Sequence, residues 1–481
     1  MPLERERDVT ITREPRAASR LRTSTLGPTG GRPHFTQPAE PTGTRAVRDG
    51  SIDAVRATLL MVVVALHSLM VGVSVGAGGV EMANALENQP WFAPVSWLVQ
   101  VMPLFFIVGG FASITQWRSL RAAGVSPAQY VRSRIVRLVR PAIALVAVTG
   151  ASLATMSLLG VPGEIVATAS FRIGQPLWFL GVYILCCALV PMLSRAHDIA
   201  RIRTPLVLLA AVTLVDLARL GSGVAAVGFL NLLFVWLLVQ QLGFWLADGS
   251  VDALSRRTRA GVLLAALALL VALTNGPYPA DMFVNLNPPT VCLVVLGVAQ
   301  LMAFSLLRAR FAALADGQLT GVLIDALGRR SMTVYLWHLP VLIGLSALLI
   351  VGDAAYGGLL PAPLSAPWWA SRPLWLVCVA AAVVAVVRLF ARFEAGRRRV
   401  DRVPVSARRV TLDTLLGAGG VTVALIAGFT AVPAAISLLL LGLALSGTDR
   451  FGRRPASALA SVAPHDPNRS ALQSHSRIDV P

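Results

Sequence analysis

The chain has 481 residues, of which 55% are hydrophobic and only 14% are charged, and its mean hydropathy is +0.69. Since soluble proteins carry about 25% charged residues, this composition and the repeated apolar runs of nearly twenty residues exclude a soluble globular protein and predict a polytopic helical membrane protein. The net charge is +18 and the sequence contains no lysine. Because the arginines cluster in alternate loops, membrane orientation explains this charge, and we expect no nucleic-acid partner.

The first 49 residues lack an apolar core and are predicted to form a disordered cytoplasmic tail. Ten spans follow within a membrane core at 50–392, and a short loop at 161–175 separates the third from the fourth. The spans are predicted at about 53–74, 95–117, 141–160, 176–194, 205–220, 224–247, 260–274, 291–307, 332–351 and 373–390. Beyond them we expect a basic cytoplasmic linker at 393–410, a membrane hairpin at 411–446 and a second disordered cytoplasmic tail at 447–481.

The predicted fold class is therefore all-α, a polytopic transmembrane helical bundle with a ten-helix core and a C-terminal two-helix hairpin. When the spans are counted along the chain, the arginine-rich loops fall on one side and the arginine-poor loops on the other. This pattern predicts a multi-pass protein of the plasma membrane with both termini in the cytoplasm. The sequence assigns no oligomeric state.

The first span carries two ionisable residues, Arg56 and His67, at lipid depth. Such residues are costly there, so each is a candidate functional group. Eleven residues of helix place them within roughly 20° around the axis and roughly 16 Å apart along it. We therefore expect one groove with a cation near its cytoplasmic mouth and an imidazole deeper in. For Arg56, a cation that snorkels from the helix end is an equally good interpretation.

The ninth span carries Ser331, Tyr335 and His338 at positions i, i+4 and i+7, which share one helix face. Tyr335 and His338 could orient each other or bind a substrate carbonyl or hydroxyl. A polar seam that neighbouring helices satisfy is consistent with the same spacing.

Three arginines, Arg134, Arg137 and Arg140, recur at every third residue where the third span begins. They can form a basic stripe that grips phosphates, although a role in topology alone is the simpler alternative. Asn287 lies in an arginine-poor loop whose polar residues suit a hydroxylated acceptor or a structured cap. The four cysteines lack metal-ligand spacing, so we expect no metal site.

The first span carries Asp53 three residues before Arg56, and His67 follows eleven residues later. Further motifs are M-P-L-F-F-I-V-G-G-F at 102–111, R-I-V-R-L-V-R-P at 134–141, P-L-W-F-L at 176–180, N-P-P-T at 287–290 and S-M-T-V-Y-L-W-H-L-P at 331–340. Together these motifs resemble those of the integral-membrane acyltransferase-3 family, in its actinobacterial-type branch. Gly109 stands where many members have serine. The hairpin after residue 410 exceeds the family's ten-span core, and we expect no soluble hydrolase-like domain after it.

The resemblance implies a membrane O-acyltransferase that moves an acyl group, with acetyl expected, from cytoplasmic acyl-CoA to a hydroxyl of a cell-envelope glycan, a lipid or a small molecule. Acyl-CoA would be a substrate, and no bound cofactor is expected. We expect the catalytic residues to be Arg56, His67, Tyr335 and His338, and the substrate-binding residues to be Asp53, Arg134, Arg137, Arg140, Trp178, Asn287 and Ser331.

Two other functions fit parts of the pattern. A transporter could move an anionic lipid or metabolite through the same histidine- and arginine-lined groove, but the two halves of the chain show no obvious repeat, which many carriers have. A non-catalytic membrane scaffold would leave the ionisable face of the first span unexplained.

Overall fold

The computed structural model describes residues 49–76, 79–394 and 404–446. The two predicted tails, apart from Asp49, and residues 395–403 of the predicted linker lie outside these ranges. The helices are α1 (Gly50–Met70), α2 (Phe92–Val99), α3 (Met102–Ala122), α4 (Pro127–Leu158), α5 (Gly163–Gly174), α6 (Leu177–Ile199), α7 (Arg203–Ser222), η1 (Ala225–Leu230), α8 (Asn231–Ala247), α9 (Arg256–Thr274), α10 (Val291–Asp316), α11 (Gln318–Tyr356), α12 (Ala366–Glu394), α13 (Ala407–Ala427) and α14 (Ala431–Leu445). The strands are β1 (Val71–Gly76) and β2 (Gly79–Asn84).

The predicted fold class is confirmed. Among the described residues, eleven helical segments are long and apolar enough to cross a membrane, ten of them between residues 50 and 390. The eleventh segment is α13, which packs against the shorter α14 as the predicted hairpin. The predicted loop at 161–175 is wrong, because α5 occupies most of it. α5 buries Val166, Ala169 and Ile173, whose spacing of three and four residues suits a helix face.

The first span ends earlier than the sequence predicted, and a β-hairpin follows it. α1 stops at Met70, and β1 pairs with β2 in antiparallel register from Val71↔Asn84 to Gly76↔Gly79. The segment V-G-V-S-V-G combines glycines with β-branched residues, which favour strands over helices. The helix break leaves His67 in the last turn of α1, beside the hairpin.

The ends of the membrane helices form two sides, which we name by their contents. The basic end holds the start of α1 and the α3–α4 connection, and the hairpin end holds β1 and β2. At the basic end, Asp49 caps α1 through the backbone N–H groups of Ser51 and Ile52, and Arg308 pairs with it at 2.5 Å. Burial acts to raise the pKa of Asp49, but the Ser51 and Arg308 hydrogen bonds and the Arg308 charge hold it below its ordinary value.

Close packing of α3 against α8 builds the centre of the bundle. A Cβ atom on Gly243 would lie 2.0 Å from the carbonyl oxygen of Ile107, and one on Gly110 would lie 2.4 Å from that of Gln240. Only glycine fits at such distances, so these two positions set the separation of the helices. Gly109 faces Tyr183 of α6 instead.

Candidate active site

A cavity of about 1390 Å³ occupies the hairpin end of the bundle. It is larger than the usual range for small-molecule sites, about 300–1,000 Å³. Its polar lining residues include His67, Arg172, Gln175 and Asn287. The cavity therefore places an imidazole and hydrogen-bonding groups in a space that can hold a sizeable substrate.

His67 pairs with His338 across the interface of α1 and α11. His67 Nδ1 lies 2.8 Å from His338 Nε2, and the two rings stack at 5.0 Å between centroids with 13° between planes. His67 lines the cavity, whereas His338 lies behind it and is fully buried. The contact joins the two histidines that the sequence placed in membrane spans.

Hydrogen-bond chemistry assigns the tautomers of this pair. His338 Nδ1 lies 2.5 Å from the backbone carbonyl oxygen of Tyr335, which can only accept, so Nδ1 carries the proton. In a neutral ring, His338 Nε2 is then an acceptor, and His67 Nδ1–H donates to it. The remaining nitrogen of neutral His67, Nε2, is left unprotonated. The pair thus presents a base on the side chain that lines the cavity.

The Tyr335 hydroxyl and the His338 N–H both donate hydrogen bonds to backbone carbonyl oxygens of the protein. The Tyr335 hydroxyl donates to the carbonyl oxygen of Pro176, and the Tyr335 ring meets Phe179 edge-on at 5.0 Å. The single N–H of neutral His338 donates to Tyr335. In this arrangement neither residue presents a free donor to a developing oxyanion. His338, held by the Tyr335 carbonyl oxygen, instead orients the His67 ring.

A second, much smaller cavity of about 10 Å³ lies towards the basic end. Its lining brings together Asp53 and Arg56 of α1 with Ser331 of α11. Ser331 directly follows a kink at Arg330, whose backbone leaves the helical region (φ −123°, ψ 15°). Three of the expected substrate-binding or catalytic residues are therefore neighbours at this end.

Glu394, at the end of α12, holds the kinked part of α11 in place. Its carboxylate accepts hydrogen bonds from the backbone N–H of Met332 at 3.1 Å and of Thr333 at 3.0 Å, and from the Thr333 hydroxyl at 2.5 Å. It caps the start of the helix segment beyond the kink, although it belongs to a different helix. Glu394 fell within the predicted basic linker, and no sequence pattern predicted this role.

The three arginines of the predicted basic stripe on α4 point in different directions. Arg134 lies 5.4 Å from the Tyr130 ring centroid, and its Nε has no hydrogen-bond partner among the described residues. Arg137 interacts electrostatically with Arg134 and with Arg56. Arg140 interacts instead with Arg132, because a spacing of three residues rotates the stripe by about 60° at each step. The structure thus brings the like charges of Arg134 and Arg137 near Arg56 and places Arg140 near Arg132.

Arg56 and His67 do not share one open groove. They line different cavities, and Leu60 and Phe105 line both of them. We call these two side chains the partition. The predicted single passage is therefore corrected to two cavities that meet at an apolar wall. Helical spacing placed both residues on one face of α1, but it contained no information on a phenylalanine from α3.

The remaining expected residues lie at the hairpin end. Trp178 and Asn287 both line the large cavity, and Trp178 stacks on Trp236 at 5.6 Å. Arg172 lines the cavity as well and donates to the carbonyl oxygen of Met82 at 3.1 Å. Sequence reasoning missed Arg172 because it took this segment for a loop; the helical periodicity of α5 was the available signal.

Comparison with known proteins places these features in a family. No curated protein and no solved structure matches the chain. The family model described as an acyltransferase domain matches residues 49–392. This range contains every lining residue of the small cavity and all those of the large cavity except the ones on α13. The chain belongs to this acyltransferase-3 family of integral membrane proteins.

Proposed function

We propose that this membrane acyltransferase moves an acyl group, with acetyl expected, from acyl-CoA at the basic end to a hydroxyl group held in the hairpin-end cavity. The observation that carries the proposal is the His67–His338 pair, which leaves an unprotonated ring nitrogen on a cavity-lining residue. The acceptor is a hydroxylated cell-envelope glycan, lipid or small molecule.

The chemical step needs one base. His67 Nε2 takes the proton of the acceptor hydroxyl as its oxygen attacks the thioester carbonyl carbon. The C–O bond forms, the C–S bond breaks, and the CoA thiolate leaves and takes up that proton. The products are an ester and free CoA. His338 keeps the His67 ring aligned throughout, since it accepts the Nδ1–H bond.

The basic end suits the donor. Arg56, Arg134 and Arg137 concentrate positive charge beside the small cavity, and guanidinium groups bind phosphates through paired hydrogen bonds. Ser331 adds a hydroxyl at the same place. From the positive-inside rule we expect this end and both termini to lie in the cytoplasm, where acyl-CoA is made. Arg134 and Arg137 thus support CoA docking from that side.

The acceptor end offers neutral and cationic contacts. Gln175 and Asn287 can exchange hydrogen bonds with hydroxyl groups, and the Trp178 ring supplies a flat face of the kind that stacks on sugars. These groups line the same cavity as His67. They position an acceptor hydroxyl and do not take part in proton transfer.

Substitution of the two paired histidines tests the proposal. Membranes that contain His67→Gln should lose acyl transfer from labelled acetyl-CoA by on the order of 10²–10⁴-fold, because the base is gone. His338→Gln is the matched control, since it removes the other ring of the same buried pair but keeps an acceptor for His67. It should retain measurable turnover.

Equal amounts of folded protein, measured by detergent-extracted yield and thermal unfolding, make the two variants comparable. Turnover by His67→Gln at the wild-type rate would remove the base from the mechanism. Movement of an intact substrate across the membrane without consumption of acetyl-CoA would favour the transporter.

A further inference from the structure

One side of the hairpin-end cavity is an apolar groove between helices. Its floor is one face of α6, where Gly181, Val182 and Leu185 line the cavity at a helical spacing. Leu233 of α8 lines one wall, and Thr422 of α13 lines the other. The groove is therefore bounded by three helices that cross the apolar part of the bundle.

The helix contacts explain why this side is open. α13 packs against α4, α5, α6 and α14, while α8 packs against α3, α6, α7 and α10. α6 is thus the shared neighbour that lies between α8 and α13. The lips of the groove are apolar and exposed: Leu230 is 59% exposed and Ile426 is 80% exposed, and both line the cavity. We expect such exposed apolar side chains on membrane-spanning segments to face lipid.

The other part of the cavity is polar. His67, Arg172, Gln175 and Asn287 line it close to the β1–β2 hairpin. The cavity therefore has an amphiphilic shape, with a polar chamber that holds the base and an apolar channel that leads sideways between α8 and α13. A sugar or another water-soluble acceptor uses the chamber but gains nothing from the channel.

One wall of the channel belongs to this chain's extension beyond the family domain. The family match ends at residue 392, whereas α13 begins at Ala407. Ala418, Thr422, Leu425 and Ile426 of α13 all line the cavity. The extension is thus part of the substrate cavity and contributes its apolar, lipid-facing side.

We propose that the acceptor is a membrane lipid with a hydroxylated head group. Its hydrocarbon chain enters between α8 and α13 and lies over the α6 floor, and its head group reaches His67 beneath the hairpin. The α13 wall selects lipids over soluble acceptors. This inference rests on the proposed function, because it names the acceptor for the same base.

Partition of the labelled product tests the inference. Native membranes that contain the full chain are supplied with labelled acetyl-CoA and then separated into organic-extractable lipid, water-soluble material and insoluble envelope glycan. Label should appear in the lipid fraction and should be lost in His67→Gln. Label that depends on His67 but lies only in the soluble or insoluble fraction would overturn the lipid acceptor and leave the proposed function standing. Absence of His67-dependent label from every fraction would overturn both.

A variant of the channel wall tests the route. Thr422 is exposed on α13, so Thr422→Trp fills the groove without replacing a core side chain. Lipid labelling should fall roughly tenfold, the scale on which a hydrophobic pocket discriminates by shape. Leu415→Trp is the matched control, because Leu415 is 61% exposed on the same helix and does not line the cavity. Equal labelling by the two variants would overturn the lateral route.

A binding measurement covers the case in which Thr422→Trp is poorly folded. In vesicles of phosphatidylglycerol, whose glycerol head group is hydroxylated, that carries a photoreactive acyl chain, the wild-type chain should crosslink at Val182 and Leu185 on the groove floor. Crosslinks confined to outward-facing residues such as Leu415 would show that lipid does not enter, which contradicts the inference.

Discussion

His67 is oriented by a side chain that lies 271 positions away in the sequence. An isolated imidazole can carry its single proton on either nitrogen, so only half of its states would present a base to the cavity. The bond chain from His67 to His338 to the Tyr335 carbonyl selects one state. Residue spacing identified both histidines and placed Tyr335 beside His338, but it could not pair residues on different helices.

Replacement of His338 should expose this orienting role. In His338→Leu the His67 ring loses its acceptor, so we expect kcat to fall by roughly 10–100-fold while KM for acetyl-CoA stays unchanged. His338→Gln offers an amide oxygen in place of the ring nitrogen and should recover much of the rate. Steady-state kinetics of the two variants check this. Equal losses in both, or a change confined to KM, would contradict an orienting role.

The divergence of the α4 arginines gives a second residue-scale prediction. Arg137→Ala should raise KM for acetyl-CoA roughly tenfold or more with little change in kcat, because a charged hydrogen bond to phosphate contributes about 1.5–3 kcal/mol. Arg140→Ala is the matched control, since both side chains are exposed on one helix but Arg140 interacts with Arg132. Similar KM values for the two variants would show that the stripe serves topology alone.

At the scale of helices, a buried ion pair fastens the C-terminal hairpin to the core. Arg132 of α4 lies 2.5 Å from Asp413 of α13, with side chains 9% and 0% exposed. Arg132 also donates to the carbonyl oxygens of Ala444 and Leu445 at the end of α14. Arg409 approaches the same carboxylate at 2.9 Å. One arginine thus joins both hairpin helices to α4.

Asp413→Asn should therefore destabilise the protein by about 3–5 kcal/mol, because it leaves Arg132 buried without its counter-charge. The double variant Arg132→Met with Asp413→Leu should lose less, since it removes both charges together. Thermal unfolding of the detergent-solubilised chain measures both. Asp198→Asn breaks an exposed pair with Arg118 and should cost about 0–1 kcal/mol. A loss in Asp413→Asn as small as in Asp198→Asn would contradict the fastening role.

Element prediction succeeded where a pattern is local. Apolar length and arginine distribution located the spans and the hairpin, because bilayer thickness fixes helix length. Element prediction failed where the local structure depends on contacts with another part of the chain. The kink at Arg330 needs Glu394 of α12 to accept the freed N–H groups, and α1 ends at Met70 because β1 pairs with β2. The periodicity of a single helix contains no information on either partner.

At the scale of the whole molecule, the proposed function assigns the donor and the acceptor to different cavities. The basic-end cavity contains Arg56, and the hairpin-end cavity contains His67. Leu60 is buried and Phe105 meets Phe179 edge-on at 5.2 Å, so the partition between the cavities consists of packed apolar side chains. Under the proposed function, an acyl group that enters at the basic end passes these side chains to reach His67. We therefore expect the partition to limit both acyl length and water access.

Phe105 is therefore expected to set the acyl chain that the enzyme transfers. Phe105→Ala widens the partition and should raise the kcat/KM for octanoyl-CoA relative to acetyl-CoA roughly tenfold, the usual scale for shape discrimination in an apolar site. Phe105→Trp should lower transfer from both donors with KM for acetyl-CoA unchanged, since the arginines that hold CoA are intact. Phe111→Ala, which also removes a phenyl ring from α3 but lines neither cavity, controls for loss of packing. If the octanoyl-to-acetyl ratio rises equally in Phe111→Ala, acyl selection does not reside in the partition.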